Sequence, residues 1–129
     1  MSTPKYPDTE IRNARIETAT IEREDHGIMT CSLGLDYSGS GQHFGGYAFD
    51  EPIKENGEFK GRRGTAYGME FIIRILDTVG VDRWDQLVGK HIRVEQSHTK
   101  VYRIGHITED RWFDPADLAK EFYPEELDN

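Results

Sequence analysis

The sequence has little cysteine. Cys31 is the only one among 129 residues, so no disulfide can form within the chain, and this is typical of proteins kept in a reducing cytoplasm. Apolar and polar residues alternate around Cys31, which predicts a strand. We therefore interpret Cys31 as a buried, inert thiol rather than a nucleophile.

Long apolar runs and an excess of positive charge are also missing. No segment is long enough to span a membrane, and the N-terminal residues lack the apolar centre of a signal peptide. Sixteen Lys and Arg residues stand against 24 Asp and Glu, which gives a formal net charge of −8. Direct binding to nucleic acid or to an anionic membrane needs clustered positive charge. We therefore expect neither, and we expect a cytoplasmic protein.

A catalytic motif is missing as well. The Gly68-Met69-Glu70 segment lacks the serine of a nucleophile elbow, and the acidic residues are too numerous for one pair to stand out as an acid–base couple. No spacing typical of a metal site occurs among the five histidines, which are His26, His43, His91, His98 and His106. We therefore expect no enzyme activity, no metal ion and no cofactor.

The patterns that are present predict a single α+β domain over residues 1–129, an antiparallel sheet packed with one main helix and a short C-terminal helix. Strands are predicted at 14–21, 29–37 and 44–49 as a meander, and at 90–96 and 100–107 as a C-terminal hairpin. Helices are predicted at 66–79 and up to residue 122, beginning after Thr65 and Asp114 as N-caps. Residues 1–10 are interpreted as a flexible arm, 50–64 as a charged loop and 124–129 as an acidic tail.

The main helix is unusually apolar. Its predicted core stripe consists of Met69, Ile72, Leu76 and Val79, and three more apolar residues, Phe71, Ile73 and Ile75, widen the surface beyond one face. Such a helix is either central in the fold or part of an oligomer interface. Glu70 and Arg74 have the spacing of an ion pair on the remaining face.

Residues 38–46 are rich in glycine. Gly39, Gly41, Gly45 and Gly46 surround Gln42, His43 and Phe44. One interpretation is a close approach of a ligand or partner to the backbone, with Gln42 or Phe44 in contact with it. The other is a hairpin turn followed by a bulged or closely packed strand.

A candidate anion site precedes the main helix. In Gly61-Arg62-Arg63-Gly64-Thr65, two guanidinium groups and a hydroxyl lie next to the free N–H groups of a helix N-terminus, a combination that suits phosphate. The segment lacks the spacing of a P-loop. Alternatively, the arginines pair with Glu51, Glu55 or Glu58.

Aromatic residues next to arginines form a third cluster. The pairs Arg83-Trp84 and Tyr102-Arg103 and the segment Arg111-Trp112-Phe113 have ring faces and guanidinium groups that suit a nucleobase. The alternative is that Trp84, Trp112 and Phe113 pack in the core and the arginines are solvated.

Several short motifs together resemble a family of small phage and prophage proteins. They are Glu24-Asp25-His26-Gly27, Leu35-Asp36-Tyr37, Gly41-Gln42-x-Phe44-Gly45-Gly46-Tyr47, Gly68-Met69-Glu70-Phe71-Ile72 and Ile104-Gly105-His106 with Trp112-Phe113. The similarity covers residues 14–115. In size and in lack of catalysis the chain also resembles the Thoeris anti-defence proteins, which bind a cyclic ADP-ribose-type signal and keep it from its effector.

This resemblance implies a non-enzymatic counter-defence protein in the cytoplasm of an infected bacterium. It implies a homo-oligomer that sequesters a cyclic ADP-ribose-like molecule or a cyclic oligonucleotide. The phosphates would then bind at Arg62, Arg63 and Thr65, with base or ribose contacts from Gln42, Phe44, Trp84, Arg111 or Trp112. Two alternatives stay open: an anti-CRISPR-type inhibitor that binds a protein through its acidic surface, and a nucleotide-processing enzyme.

Overall fold

The computed structural model describes residues 3–127 and shows an α+β fold. A six-stranded antiparallel sheet has the order β3-β2-β1-β6-β7-β8, and β4 and β5 form a separate two-stranded sheet. The strands are β1 Glu10–Arg23, β2 Met29–Asp36, β3 Gly41–Gly45, β4 Asp50–Glu55, β5 Glu58–Gly64, β6 His91–Gln96, β7 Val101–His106 and β8 Trp112–Phe113. The helices are α1 Ala66–Val79, α2 Pro115–Phe122 and α3 Pro124–Leu127.

The predicted meander and C-terminal hairpin are confirmed as β1-β2-β3 and β6-β7. The first strand is longer than predicted because it pairs with two neighbouring strands. Residues 10–15 of β1 pair with β6, and residues 15–23 pair with β2 across a bulge between Ile16 and Thr18. β1 therefore joins the two halves of the sheet.

The third strand lies earlier in the chain than predicted. It covers Gly41–Gly45 rather than 44–49, because Gly45 and Gly46 adopt positive φ angles of 137° and 85° and turn the chain out of the ladder. A Cβ at Gly45 would lie 2.1 Å from the carbonyl oxygen of Cys31. The glycine-rich segment is thus a turn and a closely packed strand, as the structural interpretation predicts.

The charged segment 50–64 is a β-hairpin rather than a loop. β4 and β5 pair from Asp50–Gly64 to Glu55–Glu58. Asn56 and Gly57 connect them with φ angles of 50° and 81°, the positive values that two-residue hairpin turns require. Both strands carry mostly exposed side chains, so the hairpin lacks the apolar alternation by which a strand is normally detected.

Helix α1 has the predicted ends, and of its predicted core stripe Val79 is buried and Ile72 and Leu76 pack against the core. The hydroxyl of Thr65 accepts a hydrogen bond from the Gly68 N–H, and Gly80 closes the helix in the left-handed conformation. Phe71 and Ile75 are fully buried, whereas Met69, placed in the predicted core stripe, is 61% exposed. The predicted ion pair is present, since Arg74 Nε lies 2.6 Å from Glu70 Oε2.

The core lies between the sheet and α1. Phe71 is its centre, with ring centroids of Phe113 and Phe49 at 4.7 and 5.0 Å. The other core residues come from β1, β2, β6, β7 and α2, among them Ile16, Leu33, Ile92, Val94, Ile104 and Leu118. Helix α2 begins as predicted, because Asp114 accepts a hydrogen bond from the Ala116 N–H and Pro115 occupies the first turn.

The N-terminal segment does not form a free arm where it is described. The backbone N–H groups of Lys5 and Tyr6 donate to Glu95, and the Lys5 ammonium lies 2.6 Å from Asp114 Oδ2. In the predicted acidic tail, Pro124–Leu127 form the short helix α3, and residues 128 and 129 lie outside the described residues.

Candidate functional site

The two arginines of the predicted anion site have carboxylate partners. Arg62 Nη2 lies 2.9 Å from Asp50 Oδ1, and Arg63 Nε lies 3.1 Å from Glu51 Oε1. The hydrogen bond from Arg62 holds the pKa of Asp50 below its usual value. The Thr65 hydroxyl is engaged as the cap of α1 and donates to the Phe49 carbonyl. An incoming anion would have to displace carboxylates here, so the ion-pair interpretation fits the geometry better, with Asp50 in addition to Glu51.

Gln42 and Phe44 hold the fold together. The Gln42 side chain accepts from the Tyr37 hydroxyl at 2.6 Å and donates to the Ser97 carbonyl at 3.0 Å, which fastens β3 to the turn between β6 and β7. Phe44 is only 1% exposed and packs against Phe71. The predicted ligand contact at Phe44 is therefore corrected: its ring belongs to the core.

Trp84, Arg111 and Trp112 do not form one site with these residues. The Arg111 guanidinium lies 2.9 Å from Glu109 Oε2. The Trp112 ring covers Gly105, where a Cβ would lie 2.7 Å from it, and the Arg103 guanidinium lies 4.1 Å from its centroid. Trp84 packs at the edge of the core, and within the described chain its buried indole N–H has no hydrogen-bond partner.

A cavity lined by tyrosines lies elsewhere, and of the aromatic residues that the sequence suggested as nucleobase contacts only Tyr102 lines it. We call it the tyrosine pocket, and its volume is about 220 Å³. The N-terminal segment, the chain after β3, the first turn of α1, β7 and α2 meet around it. Its lining is Tyr6, Tyr47, Tyr67, Lys100, Tyr102, Asp114, Pro115, Ala116 and Ala119.

One wall of the tyrosine pocket is a stacked pair of rings. The centroids of Tyr6 and Tyr102 are 4.7 Å apart at an interplanar angle of 28°. The exposed Lys100 places its ammonium 4.8 Å from the centroid of Tyr102. The wall thus combines flat π surface with a positive charge at its border.

Two buried carboxylates hold that wall in place. Asp114 accepts hydrogen bonds from the Tyr6 hydroxyl and from Lys5. Glu95 accepts from the backbone N–H groups of Lys5 and Tyr6, from the Thr9 hydroxyl and from Arg103 Nε at 2.7 Å. Arg103 Nη2 also donates to the Thr3 carbonyl at 3.1 Å, so several polar contacts anchor the segment that carries Tyr6 on the sheet.

The charges of these anchors follow from their surroundings. Burial alone would raise the pKa of Glu95, but four sets of donors outweigh it and lower the pKa to about 2. The same balance of burial against the hydrogen bonds from Lys5 and Tyr6 leaves the pKa of Asp114 below its ordinary value. Both groups are therefore ionised at neutral pH.

The hydroxyl groups of Tyr47 and Tyr67 remain neutral donors. Burial raises the pKa of Tyr67 to about 12, and it raises the pKa of Tyr47 as well. Among the described residues, the hydroxyls of Tyr47, Tyr67 and Tyr102 form no hydrogen bond, so they can donate to a molecule that enters the pocket.

Neither a cluster of metal ligands nor an activated thiol is seen in residues 3–127. No group of three or more His, Cys, Asp or Glu side chains there is arranged to hold a metal ion. Cys31 is buried in the core, and burial raises the pKa of its thiol to about 12. In the same part of the chain no helix is long and apolar enough to cross a membrane.

The sequence indicated Tyr102 as a candidate contact but not the tyrosine pocket as a whole, because the parts of the pocket are far apart in the chain. The tyrosines come from positions 6, 47, 67 and 102, two of them in loops, one in α1 and one in β7, with no shared motif. The available signal was compositional: six tyrosines in an otherwise polar chain.

Comparison of the chain with family models, with curated proteins and with solved structures finds no significant match.

Proposed function

We propose that the protein is a non-enzymatic binding protein that sequesters a small nucleotide-derived signal, and that the tyrosine pocket receives the base. The observation that supports this most directly is the Tyr6–Tyr102 wall with Lys100 beside it. Aromatic faces bind bases of any sequence by stacking, and a lysine at the border suits a phosphate.

The size of the tyrosine pocket bears on what enters it. Pockets that enclose a whole drug-sized ligand have volumes of roughly 300–1,000 Å³. At about 220 Å³, the cavity suits a single ring system, with ribose and phosphates left at its mouth near Lys100. Cyclic ADP-ribose-type molecules and cyclic oligonucleotides both offer a base in this way.

The biological setting of the proposal rests on the motif resemblance alone. A protein that holds such a signal without converting it would serve phage counter-defence in the cytoplasm of an infected bacterium. The resemblance also motivates the expectation of a homo-oligomer, which the exposed Met69 and Ile73 on α1 support.

Titration calorimetry with cyclic ADP-ribose isomers and cyclic oligonucleotides tests the proposal. We expect Tyr102→Ala to weaken binding by about fivefold or more, because loss of one stacked ring costs about 1–3 kcal/mol. Tyr37→Ala is the matched control, since Tyr37 is half-buried, carries the Arg12 guanidinium 4.1 Å from its ring and lies outside the pocket. Absence of heat with every ligand, or equal losses in the two variants, contradicts the proposal.

A protein-binding inhibitor is the second candidate. The β4–β5 hairpin favours it, because the hairpin is charged along its length and bears Phe59, which is 61% exposed. Capture of a specific host protein that Phe59→Ser abolishes, together with no nucleotide binding, would favour this function. Recovery of a chemically altered nucleotide from the protein would instead favour the third alternative, an enzyme.

A further inference from the structure

Two lysines place their charges over rings that line the tyrosine pocket. The Lys100 ammonium lies 4.8 Å from the centroid of Tyr102, and the Lys5 ammonium lies 5.5 Å from the centroid of Tyr6. Both distances are within the roughly 6 Å at which the negative face of an aromatic ring attracts a cation. The two stacked rings of the wall thus each interact with a positive charge from the chain itself.

These two lysines differ in how firmly they are held. Lys5 lies 2.6 Å from Asp114 Oδ2 and 2.7 Å from Asp117 Oδ2, so two carboxylates fix it in place. Lys100 is exposed, and it forms no ion pair with any residue from 3 to 127. Its ammonium can therefore leave Tyr102 without breaking a salt bridge in that part of the chain. The space over Tyr102 is a cation position that Lys100 can vacate.

The pocket also contains negative charge. The Asp114 side chain lines the pocket, is 4% exposed and is ionised. Burial and, after it, the charge of Asp114 raise the pKa of Tyr47, so the carboxylate acts on a further ring of the lining. Asp114 and Asp117 together face the single ammonium of Lys5, which leaves one negative charge in excess beside the wall. This excess favours a cation in the pocket.

We propose that the base bound in the tyrosine pocket is a positively charged one, such as an N-alkylated purine or a pyridinium ring, and that it replaces the Lys100 ammonium at Tyr102. The inference rests on the proposed function and names the class of base. A flat ring that carries the charge itself combines stacking with the cation–π attraction. The displaced Lys100 ammonium then pairs with a phosphate of the same ligand.

The alternative occupant is a neutral base. The hydroxyls of Tyr47, Tyr67 and Tyr102 would bind it by hydrogen bonds, and Lys100 would stay over Tyr102. In that case Lys5 and Lys100 would repel a positively charged base, which would bind more weakly than a neutral one. The two alternatives therefore predict opposite orders of affinity.

Titration calorimetry with two isomeric nucleosides at neutral pH is the test. 1-Methyladenosine is a cation under these conditions and N⁶-methyladenosine is neutral, and neither contains phosphate. We expect 1-methyladenosine to bind about tenfold or more tightly, as a cation–π contact shielded from water allows. Unmodified adenosine shows whether a methyl group at N⁶ itself interferes with binding. Affinity for 1-methyladenosine that is no higher than that for adenosine would overturn the inference and leave the proposed function intact.

Substitutions at Tyr102 identify the source of the preference. Tyr102→Phe keeps an aromatic ring and should keep the preference for 1-methyladenosine over adenosine. Tyr102→Leu has no ring and should reduce the preference severalfold. Circular dichroism establishes that each variant is folded. A preference that is unchanged in folded Tyr102→Leu would overturn the inference.

A substitution at Lys100 tests the exchange of one cation for another, and it decides the matter if Tyr102→Leu does not fold. Lys100→Met removes the ammonium that competes for Tyr102, so it should raise the affinity for 1-methyladenosine but not for adenosine. Lys54→Met is the control for net charge, because Lys54 is exposed and lies in β4 outside the pocket. No gain in Lys100→Met beyond that control would overturn the inference.

The outcome for nucleosides is compared with that for the cyclic ligands of the proposed function. Absence of heat with all three nucleosides, while a cyclic nucleotide binds, would overturn the inference alone. Absence of heat with every one of these molecules would overturn the proposed function together with it.

Discussion

Among single residues, Glu95 combines complete burial with a full negative charge. It is 0% exposed, and its pKa of about 2 keeps it ionised against the cost of burial. In β6, Glu95 lies on the face of the sheet opposite to that of the buried Ile92 and Val94. What the sequence pattern does not contain is the cover on that face, because residues 3–9 come from the other end of the chain.

We expect Glu95→Gln to lower the free energy of unfolding by about 3 kcal/mol at pH 7, since Arg103 loses its buried partner. A neutral amide also turns its NH₂ group towards donors that need an acceptor. Urea denaturation measures the change, with the exposed Glu22→Gln as the control. A loss no larger than that of the control would show that the Glu95 cluster is dispensable.

The same residue predicts a pH dependence. The pKa of Glu95 is lowered in the folded state from an ordinary value of 4.5 to about 2. Its contribution to stability is therefore complete above pH 4.5 and is lost as the pH falls through 2. The stability difference between wild type and Glu95→Gln should shrink across this window, and a difference that stays constant would contradict the assignment.

At the scale of elements, the ends of helices were more predictable than their faces. Thr65, Gly80 and Asp114 act through local hydrogen bonds or local φ angles, so a few neighbouring residues suffice to identify them. The buried face of α1 depends on the sheet, and seven apolar residues left more than one face available. Phe71 took the central position because Phe49, Tyr47 and Phe113 surround it.

The close packing of β3 on β2 gives a prediction at this scale. Gly45→Ala should destabilise the protein more than Gly46→Ala, because its new Cβ would clash with the backbone of Cys31 while the same atom at Gly46 meets open space. Both positions have positive φ, for which we expect a cost of about 1–2 kcal/mol each. Thermal denaturation measures the order, and equal melting temperatures would contradict it.

At the scale of the whole molecule, long-range polar contacts join the two ends of the chain. Lys5 reaches Asp114 and Asp117 in the first turn of α2, and Tyr6 reaches Asp114 and Glu95. Sequence patterns with a period of two or four residues carry no information about contacts between residues so far apart in the chain. This is why the fold class was predictable whereas the tyrosine pocket and the fixed N-terminal segment were not.

A chain that begins at Glu10 should therefore lose both stability and the proposed ligand. It lacks Tyr6, and it leaves Glu95 without the donors of Lys5, Tyr6 and Thr9. We expect a loss on the order of 3 kcal/mol in the free energy of unfolding. A chain that ends at Tyr123 keeps these contacts and serves as the control in the same urea titration. Equal stability of the two shortened chains would contradict the assigned anchoring.

The joining of the two ends also sets an order for biosynthesis. Proteins fold as they leave the ribosome, yet the partners of Lys5 lie up to 112 residues further along the chain. The meander of β1, β2 and β3 can form early from neighbouring segments. Residues 3–9 cannot form their hydrogen bonds and stay exposed to water until Glu95 and then Asp114 and Asp117 have been synthesised. Completion of the tyrosine pocket is thus a late event, available only to a nascent chain that has reached α2.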